Sequence, residues 1–337
     1  MRNSMRFLFA GALAVLWFSP AIAALPASCT KEDDTEKAIA ACSSIIDSQK
    51  TGKEDLAAAL SRRAVLRISW GEKEEAQNDL NRALELKPND ASLYGARAAT
   101  YDQYDNDKAV ADMDKAIELA PKNAEYRVLR AKLHVLSSTY YSAEEDFSAA
   151  VKLEPKNVER YSARYEYYSS RHEYDKALAD ATQIVSLGKP EWALHRGQTM
   201  MYLGRFDEAF AELAKYTDII EKEKDNGIGI ALGYGMRAYC RMTMGQFDKA
   251  VAEYSKAITA FDNPTLRQLR GNAFVQMKQY ELAIQDYSAV LMKKPEEVAT
   301  LYLRAVAYDL NGQPKLALGD RTDAAFYSAG LKQPKKQ

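Results

Sequence analysis

Histidine and cysteine are scarce in this chain, three of each among 337 residues, and their placement leaves no metal chemistry to assign. His134, His172 and His195 stand at no metal-ligand spacing from a cysteine or a carboxylate. Neither sign of charge is in excess: 46 lysines and arginines face 47 acidic residues, so the dense basic surface that nucleic acids demand is missing. No P-loop, Gly-x-Gly-x-x-Gly, His-Glu-x-x-His or Gly-x-Ser-x-Gly occurs. These absences argue against the common enzyme classes, and no catalytic residue or cofactor is assigned. The one long apolar run, Phe7 to Phe18, is too short to span a bilayer comfortably, so no stable membrane insertion of the mature chain is expected. Glycine (16) and proline (10) are sparse, and those that recur at fixed places therefore carry information.

The N-terminus reads as a separate object. Arg2 and Arg6 precede the apolar run, Pro20 follows it, and Ala21-Ile22-Ala23 has the small-x-small pattern of a cleavage site. Residues 1–23 are expected to be a secretory signal peptide. Its removal takes away two basic and no acidic residues and moves the formal net charge from −1 to −3. Cys29 follows closely, but the position three before it holds Pro26 where a lipidation signal wants an aliphatic residue. In an oxidising compartment, Cys29 and Cys42 are expected to form a disulfide that fastens the first ordered segment onto the first helix. Cys240, between Tyr239 and Arg241 in a helical pattern, is expected to be a buried free thiol.

The rest of the chain is periodic. Arg63, Arg97, Arg130, Arg164, Arg196, Arg237, Arg270 and Arg304 recur every 32 to 34 residues with one gap of 41. Each is followed by an acid, Asp79, Asp112, Asp146, Asp180, Glu212, Glu253, Asp286 and Asp320, at an offset of 16 residues, or 15 in the second unit. The midpoint of four pairs is a glycine: Gly71, Gly204, Gly245 and Gly312. A glycine there fits a helix C-cap, so each unit reads as two antiparallel helices whose arginine and acid sit level across the turn. A small residue follows most of the arginines. Alanines recur early in the second helix, from Ala76 to Ala317, with a larger apolar residue four positions on, such as Leu80, Met113, Phe147, Tyr254 and Tyr287. Pro88, Pro121, Pro155, Pro190, Pro264 and Pro295 are expected to end second helices.

This pattern resembles the tetratricopeptide repeat, with its small residue and aromatic in the first helix, alanines in the second and closing proline. The resemblance covers nearly all of the mature chain and implies an all-α fold, a right-handed superhelical solenoid of helix-turn-helix units, which the signal-peptide pattern makes an exported bacterial protein. The expected organisation is a signal peptide at 1–23, an N-terminal segment and half repeat at 24–56, repeats one to five at 57–223, a possible joint at 224–233, repeats six to eight at 234–331 and a basic tail at 332–337. In the joint region either the fifth unit's second helix is extended or the segment is a loop. The departures are the Arg in place of the usual leucine before the small residue, and Arg127, Ala193 and Arg267 where a large aromatic is usual. In the last unit Arg321 replaces the large apolar residue, as a capping repeat requires.

The resemblance implies a non-catalytic scaffold or adaptor that binds a protein or peptide partner along its concave face, and the signal-peptide pattern makes the bacterial envelope, in its periplasm, the expected location. Two and five residues on either side of each Arg should line that face. The lining is acidic in its middle and more apolar after Leu194. The candidate partner-binding residues are Leu194, Gln198, Met201, Tyr239, Met242, Gln268 and Asn272. Some relatives grip a C-terminal carboxylate with clustered Lys, Arg and Asn; here only Lys132 and Asn272 resemble such a set, so that clamp is not expected. The alternative is a glycan- or peptidoglycan-associated protein using the tyrosine-dense fourth unit, Tyr161, Tyr165, Tyr167, Tyr168 and Tyr174, near Tyr140 and Tyr141.

Overall fold

The computed structural model describes residues 25–30, 34–102, 104–223 and 226–330. The expected signal peptide and basic tail lie outside the described residues. A short helix α1 (Ala27–Thr30) precedes α2 (Thr35–Asp47), whose first turn is capped by the Asp34 carboxylate accepting from Glu36 N and Lys37 N. Eight helical hairpins follow, and no strand occurs among the described residues. They are α3/α4 (Lys53–Trp70, Lys73–Leu86), α5/α6 (Ala91–Ala98, Asn106–Leu119), α7/α8 (Ala124–Leu136, Tyr140–Leu153) and α9/α10 (Val158–Ser170, Tyr174–Ser186). Then come α11/α12 (Ala193–Tyr202, Phe206–Ile220), α13/α14 (Gly227–Thr243, Phe247–Ala260), α15/α16 (Pro264–Gln276, Tyr280–Lys293) and α17/α18 (Val298–Leu310, Pro314–Ser328). The chain forms two compact units, residues 1–164 and 165–337.

The turns follow one rule. Gly71, Gly204, Gly245 and Gly312, the midpoints of their pairs, all have φ between 70° and 87°. The midpoints of three other pairs are Ser138, His172 and Lys278, and these too are left-handed, with φ of 58° to 60°. The backbone demands this conformation whether or not glycine is there to adopt it without strain. The exception is the second unit, one residue shorter, where α5 stops at Ala98 and no midpoint residue exists.

Prolines behave in two ways. Pro88, Pro121, Pro155 and Pro295 follow the C-caps of α4, α6, α8 and α16, and Pro190 opens a 3-10 turn before α11. Pro264 does not close a helix. It occupies the first turn of α15 behind the Asn263 cap, where its missing N–H costs nothing.

The extra residues of the 41-residue gap extend neither α12, which ends at Ile220, nor a plain loop. They lengthen α13 backwards to Gly227. Asn226 caps this extension by accepting from Gly229 N at 3.0 Å, and Gly233 lets it lie against α12, since a Cβ there would meet Thr217 Cγ2 at 2.6 Å.

The core between hairpins is assembled from the predicted small and large positions. Ala238, Ala250 and Tyr254 form one cluster, and Ala283, Tyr287 and Ala307 another. At the N-terminus Cys29 and Cys42 are joined in a disulfide, both fully buried with Leu25 against α2 and α3. Arg62 of α3 donates from Nε to the Cys29 carbonyl at 3.2 Å. Cys240 is a buried free thiol, raised to about 11 by burial.

The candidate partner-binding face

The arginine ladder orients the first helices. Arg63, Arg97, Arg130, Arg196, Arg237, Arg270 and Arg304 pair with the acid of their own hairpin, through Nε, Nη2 or both. Contacts run from 2.6 to 2.8 Å for Arg63, Arg97, Arg130, Arg237, Arg270 and Arg304, and Glu212 accepts from both Nε and Nη2 of Arg196. Such paired, forked bonds use the planar geometry of the guanidinium.

The third nitrogen has a separate task. Nη1 of Arg63, Arg97, Arg130, Arg164, Arg237, Arg270 and Arg304 donates to Ser43, Asn81, Asp114, Ser148, Thr217, Ser255 and Ser288, at 2.6 to 3.2 Å. Each acceptor lies on the second helix of the preceding element. One guanidinium can thus tie three helices. The Arg130 guanidinium is held above its ordinary range by hydrogen bonding to Asp146, which outweighs burial. Five of the acceptors (Asn81, Asp114, Ser148, Ser255, Ser288) sit two residues after the preceding acid. That signal is in the sequence, yet the arginine–acid spacing alone does not reveal it.

With each ladder arginine turned sideways and the next residue packed inward, the positions at −2, +2 and +6 share one side of the first helix, four residues apart. On α17 this stripe is Tyr302, Val306 and Leu310, all exposed. On α13 Leu232 and Tyr239 are exposed, and on α11 Tyr202. Neighbouring first helices are in touch along this side. Tyr165 OH meets Thr199 Oγ1 at 3.1 Å, and Gln268 donates to Thr300 Oγ1.

The sequence-derived candidates occupy different depths. Tyr239 is 44% exposed. Gln198 is half-buried and donates to the Tyr202 hydroxyl at 3.3 Å. Leu194 and Met201 pack into the cluster of Ala209, Leu213 and Cys240, and Met242 packs against Ala238, Ala250 and Tyr254. Asn272 accepts from Tyr287 OH at 2.7 Å. Gln268 and Asn272 are therefore used between helices. Tyr202, Leu232, Tyr302, Val306 and Leu310 are additions. They lie at −5, ±2 and +6 from their arginines; Leu232, Tyr302 and Val306 fit the two-and-five rule without having been among the selected residues, and only the +6 position lies outside the rule.

The tyrosine-dense fourth unit is not the exposed platform its composition suggests. Tyr161, Tyr165, Tyr167 and Tyr168 are all buried. Tyr165 is packed edge-on against Trp192 and His195, and burial lowers the His195 pKa. Tyr174 is half-buried and stacks on the exposed Tyr202, with centroids 4.8 Å apart. Tyr141 stands exposed. Among the described residues no group of three or more His, Cys, Asp or Glu could hold a metal ion, and no helix is long and apolar enough to cross a membrane.

Comparison with known proteins agrees with this construction. The tetratricopeptide repeat family matches residues 57–90, 231–263 and 268–326. DnaJ homolog subfamily C member 3 of Rattus norvegicus is 26% identical over 191 residues, 53% of this chain and 38% of the relative. The human mitochondrial import receptor subunit TOM70 is 24% identical over 257 residues, 74% of this chain and 36% of the relative. The chain thus spans well under half the length of these relatives. Among solved structures, the C-terminal part of a TPR repeat-containing protein from Cytophaga hutchinsonii superposes with a TM-score of 0.59 at 16% identity, over 71% of this chain and 97% of that one. The architecture is that of a protein-interaction scaffold in general, and the chain carries tetratricopeptide repeats.

Proposed function

We propose that this protein is a non-catalytic adaptor of the bacterial envelope that holds a partner peptide or helix against the first helices of residues 165–337. One observation carries the reading. In that unit the exposed large apolar residues of the first helices are Tyr202, Leu232, Tyr239, Tyr302, Val306 and Leu310, at −5, ±2 or +6 from their ladder arginine, and Ile228, which lies one turn before Leu232 in the extension of α13. A surface row of this kind, built on rigid helices, suits the capture of an apolar segment. The periplasm is supported by the signal-peptide pattern of residues 1–23 and by the Cys29–Cys42 disulfide. Residues 24–56, 57–223 and 234–331 are the proposed half repeat and repeat blocks, with 224–233 a proposed joint.

The test is an in-cell crosslink from a photoreactive residue replacing Tyr239 or Tyr302. A dominant protein adduct at both positions is expected. A photoreactive residue at Met292, exposed on the second helix α16, serves as the control. Adducts there but not at the first-helix positions would overturn the reading. N-terminal sequencing of the envelope fraction is expected to begin at Ala24, and recovery of the uncleaved chain in the cytoplasm would refute the localisation.

The Tyr174–Tyr202 stack favours a second reading, since the exposed Tyr202 ring, backed by the half-buried Tyr174, suits the apolar face of a sugar. Co-sedimentation with peptidoglycan that is lost on Tyr202→Ala, with no protein adduct at Tyr239, would replace the adaptor reading by a glycan one.

A further inference from the structure

The partner's charge is legible on the same face, an inference that rests on the adaptor reading. Around Arg196, Arg237, Arg270 and Arg304 the positions −5, −2, +2, +5 and +6 hold Glu191 and Asp309 as their only charged residues, with no lysine or arginine. Cations are not scarce in the chain, which carries 46 of them; they are used elsewhere.

Where a cation and a ring come near each other in residues 165–337, they pair. Arg237 and Lys256 lie over Tyr234 at 4.8 and 5.0 Å, and Arg241 lies over Phe210 at 3.8 Å. Arg270 lies over Phe274 at 5.8 Å, and Arg304 over Tyr308 at 5.6 Å. The exposed rings of the face are different. Among the described residues no cation lies over Tyr202, Tyr239 or Tyr302, although each ring is at least 44% exposed. Asp309 is paired with Arg321 across the last hairpin, while Glu191 is exposed at the start of the face. A partner carboxylate or phosphate would find no cation at these positions. A partner lysine or arginine would find the rings of Tyr239 and Tyr302, the face of Tyr202 that is turned away from Tyr174, and a carboxylate.

We infer that the face takes an apolar protein segment carrying lysine or arginine among its apolar residues, with the apolar side chains on Leu232, Val306 and Leu310 and the cations over Tyr202, Tyr239 and Tyr302. An acidic segment or a free C-terminal carboxylate is disfavoured there. Each exposed ring contributes roughly two- to fivefold in affinity for a cation.

The experiment uses the full mature chain, fluorescence anisotropy and two labelled amphipathic peptides of equal length, one of Leu and Lys, the other of Leu and Glu. The Leu/Lys peptide is expected to bind at least roughly tenfold more tightly, the combined effect of more than one ring. Tyr202→Leu, Tyr239→Leu and Tyr302→Leu keep apolar area but remove the π face. Each is expected to weaken the Leu/Lys peptide roughly two- to fivefold and leave the Leu/Glu peptide unchanged, while Tyr239→Phe retains binding; far-UV circular dichroism confirms that the variants fold.

Equal or tighter binding of the Leu/Glu peptide would overturn the inference, as would leucine variants that leave the ratio unchanged. If neither peptide binds while the Tyr239 crosslink captures a protein, the charge assignment falls and the adaptor reading stands. If neither binds and no adduct forms, both fall.

Discussion

Tyr254 and Tyr287 occupy the same place in successive hairpins, one residue after the ladder acid, and removing their hydroxyls is expected to have opposite effects. Both side chains are fully enclosed, at 0% and 1% exposure, and burial raises both phenol pKa values. Tyr287 donates to Asn272 Oδ1 at 2.7 Å. Asn272 stands two residues after its arginine, and the corresponding residue opposite Tyr254 is Tyr239. The Tyr254 hydroxyl accordingly has no protein hydrogen-bond partner. An unpaired buried hydroxyl costs about 1–3 kcal/mol, whereas a made hydrogen bond contributes about 1 kcal/mol. Tyr254→Phe keeps the ring and is expected to stabilise the protein by about 1–2 kcal/mol. Tyr287→Phe is expected to destabilise by about 1 kcal/mol. Urea unfolding gives the difference, and hydrogen exchange in α14 and α16 localises it, which matters because a repeat array need not unfold in one step. Shifts of the same sign in the two variants would refute the reasoning.

Lys278→Gly relieves a left-handed residue and is expected to raise stability by about 1 kcal/mol, while Lys278→Ala gives no gain; equal melting temperatures for the two would count against the turn rule. Removing either partner of the Arg130–Asp146 pair is expected to cost about 3 kcal/mol or more. The double variant Arg130→Met/Asp146→Leu is expected to cost less than either single variant, which a double-mutant cycle in urea would check. Asp262 is held down to about 2 by hydrogen bonds from Arg267 and Lys293. Because its folded pKa is depressed, its contribution is present above about pH 4 and lost as pH falls towards 2. Asp262→Asn is therefore expected to flatten the stability slope across that window, by less than about 1 kcal/mol since the pair is largely solvated; an unchanged slope would exclude the pair as its source. Reduction of the Cys29–Cys42 bond is expected to cost about 3 kcal/mol. The loss of hydrogen-exchange protection should be confined to α2 and α3, and loss spreading through α18 would show a cooperativity that nearest-neighbour stacking does not allow.

The fold was legible because its information is periodic. Eight arginines and eight acids in register define a hairpin without knowledge of any contact, and the structure joins such pairs as Arg63–Asp79, Arg270–Asp286 and Arg304–Asp320. The midpoint rule was half legible. It was visible where glycine marks the turn and hidden at Ser138, His172 and Lys278, where the geometry is imposed by the packed helices on residues that do not advertise it. Ile228 to Gly235 left a helix and a loop both open. Glycine-rich sequence reads as a break, but Asn226 supplies a cap and the neighbouring helices lie close enough to need residues without side chains. The face was legible in position and less so in membership. Offsets from the arginine show which side a residue takes, but depth depends on the next hairpin, so Leu194, Met201 and Met242 are half-buried against core clusters while Tyr302, Val306 and Leu310 stay outside. The tyrosines of the fourth unit make the same point, since abundance in sequence carries no exposure.

The ladder and the face are one device. Buried ion pairs are poor sources of net stability, because desolvation consumes most of what the attraction returns. A hydrophobic residue at the arginine position would serve the core as well. What leucine lacks is a fork with three fixed directions. With Nε and Nη2 on the acid of its own hairpin and Nη1 on the preceding one, Arg270 or Arg304 fixes the rotation of its first helix against two others. A slip of one residue turns a helix by about 100° and would break all three bonds together. The same slip would carry Tyr302 or Val306 away from the free side. Asn272 and Gln268, bonded to Tyr287 and Thr300, hold α15 in the same orientation from the opposite flank. The residues that never touch a partner thus decide which residues can, and they do so by geometry that a charge-conserving change to lysine cannot reproduce.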